Sequence, residues 1–416
     1  MLPSVAGMLV TFLVFALVAL LLLAALLWQL WPSTRVTTSV PGPAPASAAL
    51  GNTPDIGDTA GGLPRYLLGL HRRHGALTSL WLGDFLAISL GSHNLFKLVG
   101  EAGAAQQCPY QSIVPLTLDP DILEKRDGPS SRLNSLLSSF APFSRRWSPD
   151  LGPLVRSLCG ELMAALAQLG ADDQVPVVEY VTALAVKIVI ETRNINNADV
   201  AQVRFQYISL LTDLDIFLDM SEDCNEDRKK NLLKKVEGFM QLVGEKDGVN
   251  VFSEILVVSV LSAWTLYHLA REDKLQCRVR GDEAAVSALV AEVARATAVV
   301  PLRARVLGRG VTVLGHTIDP GTLVLSSLSS VFWDHKLYPD PELVDVDREN
   351  CPDVLSFYPE ARDSFTLATV NIIIDTFLQK FSLTLVDPDL KVGTKFSVVN
   401  KPDCDIWIKL MSGGDI

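Results

Sequence analysis

The sequence lacks the features of several large protein classes. It has no excess of positive charge, because its formal net charge is −11 and its longest Lys/Arg run is Arg228–Lys230. A nucleic-acid-binding protein needs a basic footprint, so we predict no nucleic-acid partner. No two cysteines have the C-x-x-C spacing of a zinc site, and their scatter does not indicate a disulfide framework. The six cysteines are Cys108, Cys159, Cys224, Cys277, Cys351 and Cys404.

Charge is also missing from the N-terminus, where residues 1–34 contain no Asp, Glu, Lys or Arg. The apolar run Met8–Trp31 is long enough to cross about 30 Å of hydrocarbon as a helix. A cleaved signal peptide is the alternative, with small residues at Ala44–Ala48, but its apolar core would be too long and it would lack a basic start. We predict a single-pass transmembrane anchor over residues 1–34, and Arg35 favours a cytosolic position for the rest of the chain.

Proline and glycine mark the segment after the anchor. Pro41, Gly42, Pro43 and Pro45 disfavour a helix and favour an extended chain, so we predict a linker over residues 35–62. The remaining residues, 63–416, are expected to form one domain.

The first residues of that domain predict a helix followed by a β-hairpin. A helix is predicted to end at Gly75. Two strands, Leu77–Leu82 and Phe85–Leu90, flank Gly83-Asp84 and predict a hairpin.

Four motifs follow one another in the C-terminal part of the chain. They are Glu292 and Arg295 at E-x-x-R spacing, a strand pair over Gly315–Val324, the sequence Tyr338-Pro339-Asp340-Pro341, and Asp347-Arg348. In this order they resemble the C-terminal half of a cytochrome P-450, a haem-thiolate monooxygenase. We predict a helix over residues 359–370, and this helix and residues 52–93 most resemble the animal orphan family numbered twenty. The resemblance implies a mainly α fold with small β-sheets behind an N-terminal transmembrane helix.

The first motif predicts an ion network. Glu292 and Arg295 lie three residues apart and therefore share one face of a helix. The resemblance implies that Arg348 joins them, and that the three residues hold the scaffold beside the haem without taking part in catalysis.

The haem site is where the chain departs from the family. Tyr358 stands where the resemblance places the haem-ligating cysteine, and the glycine-bearing loop before it is shortened. A phenolate can bind haem iron, and Cys351 lies seven residues upstream as an alternative ligand. The resemblance assigns a haem propionate to Arg132, since an arginine fork suits a carboxylate. Three alternatives stay open: no stable haem, haem bound through Tyr358 or Cys351, and an incomplete sequence.

The segment Leu261–Ala270 resembles the end of the family's central helix, which crosses the haem face. The family often has an acid and an alcohol about two turns earlier for proton delivery, and Val257 and Val258 stand there. Glu254 lies nearby but out of register. His268 is expected to pack inside the helix bundle. The interval from Ala270 to Glu292 is short for the family, which indicates a trimmed member, an incomplete gene model or a splice form.

These observations leave two main functions open. The resemblance implies a haem monooxygenase on the cytosolic side of the endoplasmic reticulum membrane, which oxidises a lipophilic substrate with O2 and electrons from a flavoprotein reductase. The alternative is a non-catalytic pseudoenzyme or lipophile-binding membrane protein without stable haem. A third possibility is a defective partial product.

Overall fold

The structure is a computed structural model. It describes residues 38–47, 50–83, 85–102, 143–169, 173–195, 199–218, 226–244, 248–349, 352 and 361–412, together with Val14, Leu17, Val18 and Leu20. The chain divides into two units, Met1–Thr38 and Ser39–Ile416. In the first unit the four described apolar residues are helical and exposed. The rest of the predicted anchor lies outside the described residues.

The second unit is mainly helical, as the sequence predicted. Its twelve described helices are α1 Thr53–Gly57, α2 Gly62–His74, α3 His93–Ala102, α4 Leu151–Leu166, α5 Val177–Thr192, α6 Val200–Leu218, α7 Glu226–Val243, α8 Gly248–Arg271, α9 Asp273–Val279, α10 Glu283–Ala296, α11 Leu328–Phe332 and α12 Phe365–Lys380.

The strands of the second unit are short and form small sheets, which also agrees with the predicted fold class. They are β1 Leu77–Leu82, β2 Phe85–Leu90, β3 Gln174–Pro176, β4 Leu302–Val306, β5 Val311–Val313, β6 His316–Ile318, β7 Leu323–Ser327, β8 Phe381–Leu385, β9 Thr394–Phe396, β10 Asn400–Pro402 and β11 Trp407–Ser412. One sheet has the order β1-β2-β7-β4, another has the order β3-β11-β8, and β5-β6 and β9-β10 are two-stranded. Within the first sheet β2 and β7 run parallel, and the other neighbours are antiparallel.

The predicted hairpin is confirmed. Strands β1 and β2 pair antiparallel with Leu82 opposite Phe85, so the chain reverses between these two residues. Gly83 has a φ of 59°, a conformation that glycine adopts at little cost. The preceding helix α2 ends at His74, followed by Gly75 with a φ of 93°, as the glycine signal indicated.

The folded unit begins earlier than the predicted linker boundary at residue 62. Asn52 is fully buried, and its side chain donates to the carbonyl of Ala44 and accepts from the backbone N–H of Trp81. Ile56, on α1, is buried in the main core. Residues 39–62 therefore pack against β1, because one asparagine satisfies backbone groups on both segments.

Helix α8 lies at the centre of the main core. It packs most extensively against α5 and also contacts α12 and α10. By length and composition Asn250–Arg271 could span a membrane, but 94% of its most apolar window is buried inside the protein. In this structure it is therefore a core helix, and other helices of the second unit surround it.

Candidate functional site

The structure brings Glu292, Arg295 and Arg348 together. Arg295 donates from Nε and Nη2 to the two carboxylate oxygens of Glu292, each at 2.8 Å. Arg348 donates from Nε to Glu292 Oε1 at 3.0 Å. Arg295 is 0% exposed and Glu292 is 6% exposed, so this carboxylate is neutralised inside the protein by two guanidinium groups.

Arg295 uses every N–H group that an arginine has. Besides the two bonds to Glu292, it makes three bonds of 2.8–3.0 Å to backbone carbonyls. These carbonyls belong to Phe332, Pro341 and Leu343. Its guanidinium also lies 4.9 Å from the ring centroid of Tyr338. Arg295 therefore fixes the irregular chain after α11 onto α10.

Arg348 binds the same irregular segment after α11. It donates to the carbonyls of Pro339 and Asp340, and to that of Leu343 at 3.0 Å. Tyr338 in turn donates from its hydroxyl to the carbonyl of Pro352 at 3.0 Å. The described groups of this network are all engaged with protein partners, so the network is a scaffold and not a reaction centre.

Three predicted site residues lie outside the described residues. They are Arg132, Cys351 and Tyr358. Their assignment to the haem propionate and the haem iron stays a prediction.

The helix after Tyr358 begins later than the sequence indicated. We predicted helix from Pro359, but α12 starts at Phe365, and residues 361–363 form a turn. Ser364 has extended backbone, and its Oγ accepts a hydrogen bond from the N–H of Leu367 at 3.2 Å. This is the geometry of an N-cap serine, so Ser364 was the local signal for the true helix start.

A short extended segment, which we name the strap, covers this helix start and consists of residues 145–147. The N–H of Phe365 donates to the carbonyl of Arg145 at 2.8 Å, and the N–H of Trp147 donates to the carbonyl of Asp363 at 2.8 Å. The strap thus pairs with the first residues of α12 as a strand would, and this pairing directs the Arg145 side chain toward α8.

Arg145 reaches a buried carboxylate on the central helix. Glu254, on α8, is 1% exposed and accepts from Arg193 at 2.6 and 3.0 Å and from Arg145 at 3.4 Å. We name these three residues the Glu254 cluster. Arg145 also donates to the carbonyl of Thr192 at 2.8 Å, at the C-terminal end of α5. The negative end of the α5 dipole and the Glu254 carboxylate both favour the two cations.

The Glu254 cluster extends to the start of α12. The guanidinium carbon of Arg145 lies 3.9 Å from the ring centroid of Phe365, which is 0% exposed. Burial lowers the pKa of Arg145, and the Glu254 carboxylate acts in the opposite direction. Glu254, Arg145 and Phe365 therefore lie in a row that joins α8 to the first turn of α12.

The resemblance places haem here, between the central helix and the helix that follows the ligand position. On α8, Val257 and Val258 lie three and four residues after Glu254 and share its face. Both valines are buried and carry no hydroxyl, and Ser259 donates instead to the carbonyl of Leu256 on its own helix. The described side chains that join α8 to the start of α12 are an ion pair and an aromatic ring, and none of them is a cysteine or another ligand for haem iron.

A pocket of about 300 Å³ lies nearby, between α10, the strap and the start of α12. Its lining includes Trp147, Ser287, Leu367 and Asn371 and no residue of α8. It therefore does not include Glu254. Among the described residues no group of three or more His, Cys, Asp or Glu side chains is placed to hold a metal ion.

His268 packs against aromatic rings on its own helix. Its ring centroid lies 5.1 Å from that of Tyr267 and 6.4 Å from that of Trp264. Burial, with a smaller contribution from Arg271, lowers the pKa of His268 to about 4. The imidazole is therefore neutral at pH 7 and belongs to the packing, as expected.

Among the described residues, three hydroxyl groups are buried around α8 without a hydrogen-bond partner. They belong to Ser262 on α8, Thr369 on α12 and Ser397 in the turn before β10. Buried polar atoms usually have partners, so these three groups are a feature that needs an explanation.

Sequence reasoning found the Glu292 network and missed the strap and the Glu254 cluster. The network has an E-x-x-R signal, whereas Arg145 and Arg193 are ordinary arginines in the sequence. Glu254 lies 109 residues from the first and 61 from the second, so no local pattern relates them.

Comparison with known proteins is consistent with this architecture. The family model described as Cytochrome P450 matches residues 257–350. Proteins named Cytochrome P450 20A1 from Mus musculus and Rattus norvegicus are each 24% identical, and the one from Homo sapiens is 22% identical. Each match covers 95% of this chain and 98% of the relative. The mouse alignment spans 472 positions, more than the 416 residues of this chain, so the relative has internal residues that this chain lacks.

Proposed function

Because this chain belongs to the cytochrome P-450 superfamily and is similar to its family twenty, we propose that it is a non-catalytic member that binds a lipophilic molecule without oxidising it. We further propose that residues 1–34 anchor it in the endoplasmic reticulum membrane, with the folded unit on the cytosolic side. The observation that carries the proposal is the Glu254 cluster, a buried ion pair network that joins α8 to the first turn of α12.

The free energy needed to separate Arg145 from Glu254 supports a haem-free protein. A haem lying there would separate Arg145 from Glu254 and from the ring of Phe365. Removing one partner from a buried ion pair costs about 3–5 kcal/mol, and binding would have to offset that cost. Tyr358 at the ligand position argues separately against oxidation, because a phenolate pushes less electron density onto iron than the thiolate that favours O–O cleavage.

The buried hydroxyl groups support binding of a ligand. Each unsatisfied polar group costs about 1–3 kcal/mol in a protein interior, and a ligand with a hydroxyl or carboxylate could supply the missing partner. Ser262 and Ser397 are 0% and 2% exposed, so such a ligand would lie inside the apolar layer around α8. An apolar body with one polar group describes a sterol or a fatty acid.

Thermal unfolding of the full chain in mild detergent tests the haem-free part. A ligand present at a hundred times its Kd stabilises the native state by about 2.7 kcal/mol. We expect added haem to leave Tm unchanged. A Tm that rises steadily with haem concentration would contradict the proposal.

Displacement of a fluorescent fatty acid or sterol tests the binding part. We expect saturable binding that Ser262→Ala and Ser397→Ala weaken about tenfold, equivalent to 1.4 kcal/mol. The matched control is Thr212→Val on α6, because Thr212 is exposed and its hydroxyl already donates to its own helix. Binding that is absent, or equal in all variants, would refute a ligand at these hydroxyls.

The second candidate is the family's haem monooxygenase, acting on a lipophilic substrate with a flavoprotein reductase as electron donor. The matches to cytochrome P-450 sequences favour it, and so does the Glu292–Arg295–Arg348 scaffold. It would need Cys351 or Tyr358 to reach the iron. NADPH-dependent oxidation of a lipophile by the chain with added haem and reductase would place this candidate first.

A further inference from the structure

We propose that the pocket between α10, the strap and the start of α12 binds a small, uncharged aromatic molecule that carries an N–H or O–H group. We name this space the α12 pocket. None of its described lining residues belongs to the Glu254 cluster or carries one of the three unpartnered hydroxyl groups around α8. The α12 pocket is therefore distinct from the site in the proposed function, and its occupancy does not depend on that function.

Small side chains leave the α12 pocket open. Ser287 and Ala291 lie four residues apart on α10 and share one face of that helix. Ser364 and Ala368 have the same spacing at the start of α12. The two helices contact each other, but serine and alanine are too short to fill the space between them. The volume that remains is about 300 Å³, at the lower end of the range of about 300–1,000 Å³ for small-molecule pockets, so the ligand must be small.

The apolar part of the lining favours a flat aromatic ring. Val290 and Leu367 are buried, and the partly buried indole of Trp147 also lines the pocket. The centroid of the Trp147 ring lies 6.1 Å from that of Phe365, and this contact holds the indole in place. Aromatic rings attract one another at centroid distances of about 4.5–7 Å, beyond the effect of buried area. A planar ring bound against Trp147 would gain this contact.

Asn371 gives the pocket a requirement for a hydrogen-bond donor. It lines the pocket about one helical turn after Leu367, and its Oδ1 atom is buried without a hydrogen-bond partner among the described residues. Buried polar side-chain atoms usually have a partner, so this oxygen lacks a donor that a ligand can supply. The χ2 angle of asparagine has broad energy minima, which lets the amide turn its oxygen toward a molecule in the pocket.

The charges at the opening favour an uncharged ligand. Arg362 and Asp363 both line the pocket and are exposed, so they lie at its opening. Their charges are of opposite sign, so neither an anion nor a cation meets a net charge of the other sign there. A neutral ring with one N–H group, such as indole, matches the volume, the aromatic wall and the acceptor.

A fluorine NMR titration of the full chain in mild detergent tests this site. The probes are 5-fluoroindole, which has the N–H donor, and 1-methyl-5-fluoroindole, in which a methyl group replaces that hydrogen. The signal change in detergent alone is subtracted. We expect saturable binding of 5-fluoroindole and a Kd at least about tenfold higher for the methylated probe, a difference of 1.4 kcal/mol.

Two variants and a control connect this binding to the α12 pocket. Asn371→Ala removes the acceptor, so it should weaken 5-fluoroindole binding about tenfold and abolish the difference between the two probes. Ala368→Met places a longer side chain in the pocket, so it should prevent binding of both probes. The matched control is Asn231→Ala, which should bind both probes as the wild type does, because Asn231 is an exposed asparagine on α7 and does not line the pocket. Circular dichroism checks that each variant folds.

The outcomes separate this site from the proposed function. Absence of 5-fluoroindole binding, equal binding of the two probes by the wild type, or undiminished binding by folded Ala368→Met would overturn the inference. Displacement of 5-fluoroindole by the fatty acid, together with weaker binding in Ser262→Ala, would overturn it too, because the probe would then occupy the site around α8. Loss of fatty-acid binding alone, with the α12 pocket results as expected, would refute only the proposed function. If Asn371→Ala does not fold, Ala368→Met and the methylated probe decide the question.

Discussion

Replacing Arg295 by lysine should destabilise the protein far more than its conservative chemistry implies. Arg295 makes five hydrogen bonds, two to Glu292 and three to backbone carbonyls, and none of its surface is exposed. A lysine has three N–H donors and no planar fork, so at least two acceptors lose their partner. A buried acceptor without a donor costs about 1–3 kcal/mol, which gives a loss of about 2–6 kcal/mol.

Urea unfolding of the full chain in detergent, followed by tryptophan fluorescence, measures this loss. The matched control is Arg278→Lys, because Arg278 also forms an ion pair but its side chain is 47% exposed. Water screens exposed ion pairs, so the control should lose much less stability than Arg295→Lys. A loss for Arg295→Lys that is no larger than that of the control would refute the described role of Arg295, which fixes the chain after α11 onto α10.

Two other perturbations have defined outcomes. The lowered pKa of His268 means that its contribution is fully present above the unfolded pKa of about 6.5 and is lost as the pH falls toward 4. We expect the free energy of unfolding to fall by about 2 kcal/mol less between pH 7 and pH 5 in His268→Phe than in the wild type; identical pH profiles would contradict this. Ser364→Ala removes the N-cap of α12 and should lower stability by about 1 kcal/mol in urea unfolding, and an unchanged midpoint would show that the cap is dispensable.

Local signals predicted local structure well. The β1–β2 hairpin and the end of α2 followed from Gly83-Asp84 and Gly75, because a turn and a helix end depend on a few neighbouring residues. The pairing of Glu292 with Arg295 was similarly readable, since three-residue spacing on a helix forces proximity. In each case the residues that determine the structure are close neighbours in the sequence.

Features that depend on distant residues were not readable in this way. The segment around Asn52 was predicted as linker because its proline content is linker-like, yet the burial of Asn52 depends on β1. Glu254 was noticed only as out of register for proton delivery. Its importance became clear from its contacts with Arg145 and Arg193, which the fold brings together from separate segments.

The absorption spectrum of the purified full-length protein, expressed with a haem precursor and then reduced under carbon monoxide, tests the central claim most directly. The account predicts a protein that is folded by circular dichroism and shows no Soret band, because haem would have to separate the Glu254 cluster and the resemblance puts a tyrosine, Tyr358, at the position of the ligand cysteine. A stoichiometric band at the long wavelength typical of thiolate ligation would contradict it, since a cysteine of this chain would then bind haem iron.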